Sequence, residues 1–140
     1  MTLFNPIKTT FNEKTESLAK NIIISAIAIH RTIGADIRKN IYVECLAHEL
    51  ELRGFQVQKE VIFNNEKHSE SQVVLELLVE NEIAVLCISE ECVQKKDVIA
   101  LLNQMKHTDL KLGLIFNFNV KYIRSSSIRR VINVFVESDI

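Results

Sequence analysis

At 140 residues and 47% apolar content, the chain is sized for one domain that buries roughly 70% of its unfolded surface, and is too short for two. A formal net charge of −1 excludes a general attraction to polyanions, so nucleic-acid binding would need a local basic patch. No stretch approaches the ~20 apolar residues of a membrane span, and Met1 to Ile7 lacks the charged and apolar regions of a secretory leader, so a cytoplasmic protein with no membrane partner is expected.

Residues 1–13 are polar, hold the only proline, Pro6, and read as an N-terminal arm before a single domain over 14–140. From Lys14 to Ile33, Leu18, Ile22, Ala26, Ile29 and Ile33 recur at three- and four-residue steps, and Ile23, Ile24 and Ile27 widen that stripe into a largely buried helix ended by Gly34. A second helix runs from about Ile37 to Arg53, with Val43, Leu46, Ala47 and Leu50 inward and Gly54 as its stop. Three strands follow. Phe55 to Phe63 places Val57, Val61 and Phe63 on one face, Gln72 to Val79 is a strand that also matches a helical step, and Glu82 to Ile88 is apolar on both faces, as in a covered central strand.

Asn64 to Ser71 suits a hairpin loop, and Glu80-Asn81 a two-residue turn without the usual glycine. Lys95 to His107 is a third amphipathic helix with Val98, Leu101, Leu102 and Met105 inward, and Lys111 to Phe118 returns as a strand. After Ser125-Ser126-Ser127, Ile128 to Val136 alternates as a last strand. The order ααβββαββ predicts a mixed-sheet α/β sandwich. Cys45, Cys87 and Cys92 are odd in number and fit reduced thiols; their spacing lacks the further ligands a zinc site needs.

Three words carry a resemblance: Ala28-Ile29-His30-Arg31-Thr32-Ile33-Gly34, Tyr42-Val43-Glu44-Cys45-Leu46-Ala47-His48-Glu49-Leu50-Glu51-Leu52-Arg53-Gly54 and Lys111-Leu112-Gly113-Leu114-Ile115-Phe116-Asn117-Phe118-Asn119-Val120. In order and from about Leu18 to Ile132, the chain resembles the GxxExxY proteins, which have the PD-(D/E)xK nuclease (restriction endonuclease-like) fold. The resemblance implies an active-site pattern that this chain keeps only in part. Its naming glycine, glutamate and tyrosine fall on Asp36, Lys39 and Tyr42, and only the tyrosine is retained. Its metal-binding aspartate falls on Glu76, the acid and lysine of its E-L-K word on Leu86 and Ile88, and its helical glutamine on Ala100.

Phosphodiester hydrolysis of this kind needs Mg²⁺ held by carboxylates and a lysine that orients the attacking water. With acid and lysine both replaced by hydrocarbon, a catalytically inactive binding or assembly module is expected, with no cofactor and with an unknown protein partner or self-association. A first alternative is a divergent Mg²⁺-dependent nuclease in which Glu90, two residues past Ile88, serves as a relocated ligand beside Glu76, with Glu44 pointing elsewhere. A second is a non-cleaving nucleic-acid binder carried by Lys121, Arg124, Arg129 and Arg130, a cluster read as lacking the interleaved aromatics that stack bases. At the former metal position a pairing of Glu76 with Lys39 is expected, and His30 at the end of the first helix is given a structural role.

Overall fold

The computed structural model describes residues 11–64 and 72–136. Its elements are α1 (Glu13–Ile33), α2 (Lys39–Leu52), β1 (Val57–Asn64), β2 (Gln72–Val79), β3 (Ile83–Ile88), α3 (Lys95–Met105), β4 (Leu112–Asn117) and β5 (Ile128–Ile132), in the expected order. The strands lie side by side as β1-β2-β3-β4-β5, so β3 is central. All neighbours are antiparallel except β3 and β4, which are parallel because α3 carries the chain back across the sheet. Among the described residues no helix is long and apolar enough to cross a membrane.

Local chemistry sets the ends of these elements. Asn12 caps α1 by accepting from the Thr15 N–H at 2.9 Å, Glu13 and Glu16 sit at its positive end, and His30 and Arg31 at its negative end. The β2–β3 connection forms without glycine: Glu80 and Asn81 both take positive φ, 54° and 53°, as a twist-matched hairpin turn requires. The Glu80 carboxylate holds that turn by accepting from the Gln56 N–H at 2.6 Å.

Two apolar layers sandwich the sheet. On one face α1 and α2 cover Leu77, Val79, Ile83, Val85, Cys87, Leu112, Leu114 and Phe116. On the other, Leu101 and Met105 of α3 cover Leu75, Leu78, Ala84, Leu86, Ile88 and Ile115. All six residues of β3 are buried, so this strand belongs equally to both layers. Gly113 on β4 marks the closest approach of α3, since a Cβ there would stand 2.7 Å from Leu101 Cδ2 and 2.8 Å from Met105 Sδ.

Strand parity departs from the sequence reading at one place. Val57 packs with the α1/α2 layer and Val61 with the α3 layer, although simple alternation puts both on one face. Glu60 lies between them with φ 51°, a left-handed residue that turns the strand over. Opposite it on β2, Leu75 and Leu77 likewise fall on different faces. The last strand stops at Ile132 rather than Val136, because the Asn133 amide turns inward to donate to the carbonyls of Met105 and Leu110 at 3.0 and 2.7 Å. Val134 and Phe135 are consequently exposed. Of the cysteines, Cys87 is buried, Cys45 half-buried and Cys92 exposed. Of the loop expected over 64–71, Asn64 is the last residue of β1 and the rest lies outside the described residues, as does most of the arm over 1–13.

Candidate functional site

The site forms where β2 and β3 part. Their pairing covers Leu77 with Val85, Leu78 with Ala84 and Val79 with Ile83, and goes no further toward Glu76. Beyond it, the Glu76 carboxylate takes the place of a backbone acceptor: its Oε2 accepts from the Cys87 N–H at 2.7 Å. Glu76 lies where β2 changes face between Leu75 and Leu77, opposite Glu60, and its Oε1 meets Lys39 Nζ of α2 at 3.0 Å. One carboxylate therefore holds one amide and one ammonium, and the expected contact of Glu76 with Lys39 is present. Glu76 is mostly covered and Lys39 is half exposed, so the ion pair closes the fork from the solvent side.

Lys39 is the first residue of α2, and a buried tyrosine sets its position. The Tyr42 hydroxyl donates to the Gly34 carbonyl at 2.5 Å and accepts weakly from the Ile37 N–H at 3.4 Å, tying down the α1–α2 loop. Its ring stacks on Phe118 at 4.4 Å, nearly parallel. Burial pushes the Tyr42 hydroxyl above its ordinary pKa, so it stays a neutral donor. Asp36, in that loop, has φ 60°, which shows why glycine suits the position; aspartate is among the few residues that enter this region at modest cost. His30 Nε2 lies 3.1 Å from the Phe118 carbonyl, a structural link between α1 and the end of β4.

The pair lines an open cleft of about 390 Å3 together with Asn40, Val43, Glu44, Lys59 and Glu60. Glu44 lines the same cleft as Lys39, contrary to the helical-wheel reading, because the cleft is broad and Lys59 reaches up from β1 to meet it at 2.7 Å. Each of the two lysines is thus matched by a carboxylate. Cys87 faces this side from beneath: burial first, and then the negative charge of Glu76, push its thiol well above the ordinary range. A thiol held neutral is neither a nucleophile nor a metal ligand.

Other residues singled out from the sequence lie elsewhere. Leu86 and Ile88 point into the α3 layer, on the opposite face of β3 from Glu76; the β3 residues that share the face of Glu76 are Val85 and Cys87. Alternation along a buried strand makes a one-residue offset a change of side. Either pair is free of charge. Ala100 is exposed on α3, which covers that opposite face. Glu90 is not brought to the cleft: its carboxylate pairs with Lys96 of α3 at 3.5 Å, and its backbone is held by the Asn117 amide. Among the described residues no three histidine, cysteine, aspartate or glutamate side chains are grouped to hold a metal.

The basic cluster divides in two. Arg130 makes a two-point contact with Glu16 of α1, both bonds 2.8 Å, which lowers the Glu16 pKa, so this arginine serves the fold. Lys121 and Arg124 instead lie over the Tyr122 ring, at 5.5 and 5.8 Å from its centroid. An interleaved aromatic is therefore present. Lys121-Tyr122-Ile123-Arg124 shows it in the sequence. Arg129 is exposed on the edge strand β5.

Comparison with known proteins agrees with this architecture. The family pattern described as the PD-(D/E)XK nuclease superfamily matches residues 16–131, from the first turn of α1 into β5. Neither the curated proteins nor the solved structures give a significant match.

Proposed function

The chain belongs to the PD-(D/E)XK nuclease superfamily, and from that premise we propose that it is a degenerate, GxxExxY-like member that does not cut phosphodiesters and uses the nuclease fold as a binding or assembly module. The observation that carries this reading is Lys39 Nζ at 3.0 Å from Glu76. A magnesium ion in such a site is held by one or two carboxylates plus substrate phosphates, at oxygen distances near 2.1 Å. Here an ammonium stands against the single carboxylate at the fork, and the other Glu76 oxygen is committed to the Cys87 amide. The residues present do not fit the metal, because the local charge is already neutralised. No second acid stands at the fork itself: Val85 and Cys87 supply none on this face, Glu90 pairs with Lys96, and of the other carboxylates that line the cleft Glu44 is paired with Lys59, while with Glu60 included no three such side chains among the described residues are grouped to hold a metal.

The reading is tested by incubating the protein with plasmid and with oligonucleotides in millimolar Mg²⁺ or Mn²⁺. No metal-dependent cleavage above that of a Glu76→Gln control is expected. Cleavage that needs the metal and disappears in Glu76→Gln would overturn the proposal and restore the nuclease reading.

A further inference from the structure

The loop after β4 carries the most distinctive unassigned surface. Tyr122 is 58% exposed although it is among the largest side chains in the protein, with Lys121 Nζ 5.5 Å and Arg124 Cζ 5.8 Å from its ring. The loop is held at both sides of that ring. Phe118 before it is buried beneath Tyr42, Ile123 packs on the α1/α2 layer, and the Arg124 N–H donates to Ser127 Oγ at 3.0 Å. Among the described residues neither Lys121 nor Arg124 enters an ion pair, whereas Lys39, Lys59, Lys96 and Arg130 all do. Two cations without a carboxylate partner, each lying over the same exposed ring, are thus presented together.

We propose that Lys121, Tyr122 and Arg124 form a platform for single-stranded nucleic acid, a base stacking on Tyr122 as the two cations swing from over the ring to neighbouring phosphates. The proposal rests on the binding-module reading for its role, a strand held and not cut, but it assigns the contact itself to a surface apart from the Glu76 fork. The chemistry selects unpaired strands. Every base has a π-face that a tyrosine can stack on, but within a duplex those faces are already covered. A protein of net charge −1 gains little from its overall field, so affinity must come from this local cluster.

The chain itself provides the probe, since it has no tryptophan and only two tyrosines, of which Tyr42 is buried. Titration with oligothymidylate, oligouridylate and a duplex of the same length should quench tyrosine emission with the single strands and far less with the duplex; the two single strands separate DNA from RNA as the preferred source. By anisotropy of a labelled strand, Tyr122→Ala should weaken binding about 5- to 100-fold. Lys121→Gln with Arg124→Gln should reduce the slope of log K against log salt by about 1.4, since each single-strand phosphate that is no longer neutralised by a cation lowers it by roughly 0.7. All three residues are exposed, so these variants should keep the native circular dichroism. Failure to bind, a duplex bound as tightly as the single strands, or binding unchanged in folded Tyr122→Ala would overturn the proposal. Cleavage of the bound strand with added metal would overturn the inactive reading while leaving the platform in place.

Discussion

The two faces of β3 bury it equally and make different demands on it. On the α3 face, Ala84, Leu86 and Ile88 meet Leu101 and Met105, and only hydrocarbon is present. On the α2 face, Val85 and Cys87 lie beneath a carboxylate and an ammonium that stand where β2 and β3 part. The dry face has one solution, tight packing around Gly113. The polar face is a fork kept open by a side chain that replaces a ladder bond. The tightest packing and the ion pair thus occupy opposite sides of one strand.

The contrast between the faces fails most clearly if a charge is tolerated on the dry side. Leu86→Glu should cost about 3–5 kcal/mol, because a carboxylate there has no partner among α3 side chains. Urea denaturation measures it; near-native stability would mean that residue 86 faces the cleft after all. Next in size is Gly113→Val, expected to destabilise by about 1–3 kcal/mol as Leu101 and Met105 are pushed aside. A neutral outcome would show that α3 is not seated closely on the sheet.

On the polar face, Glu76→Ala should cost about 1–2 kcal/mol by stranding the Cys87 amide, and Lys39→Ala less than about 1 kcal/mol, since half of that side chain is in water. Equal costs would indicate that the ion pair, not the amide bond, holds the fork. The smallest effect is in pH. Burial raises the Cys87 thiol in the folded chain, so the unfolded chain ionises first, near pH 8.5. That contribution is whole below this pH and is lost as the pH rises through the folded value; Tyr42, also raised, adds to the loss above about pH 10. Cys87→Ala should flatten the decline in stability between about pH 8.5 and 10, and an unchanged profile would argue against a covered thiol.

Much of the fold is legible in the sequence because it rests on local rules. The helical stripe of α1, the six apolar residues of β3 and the positive-φ pair Glu80-Asn81 all follow from periodicity or turn geometry. The contact of Lys39 with Glu76 is legible as well, as a lysine and a carboxylate at positions that the resemblance brings together. What is not legible is parity beyond Glu60, since nothing in the letters Lys59-Glu60-Val61 announces a left-handed residue in a strand. Opposite it, β2 changes face between Leu75 and Leu77, and that change sets Glu76 apart from Leu86 and Ile88. Tyr122 is a different case: its letters stand between two cations, and only its exposure shows that the ring is available.

Calorimetric titration with Mn²⁺ tests most directly whether the Lys39 ammonium stands where a divalent ion would otherwise bind. The natural chain should give no saturable heat at millimolar metal, while Lys39→Glu, which sets a second carboxylate against Glu76, should gain a binding site that Glu76→Gln then abolishes. Saturable Mn²⁺ binding by the natural chain, lost in Glu76→Gln, would contradict the account.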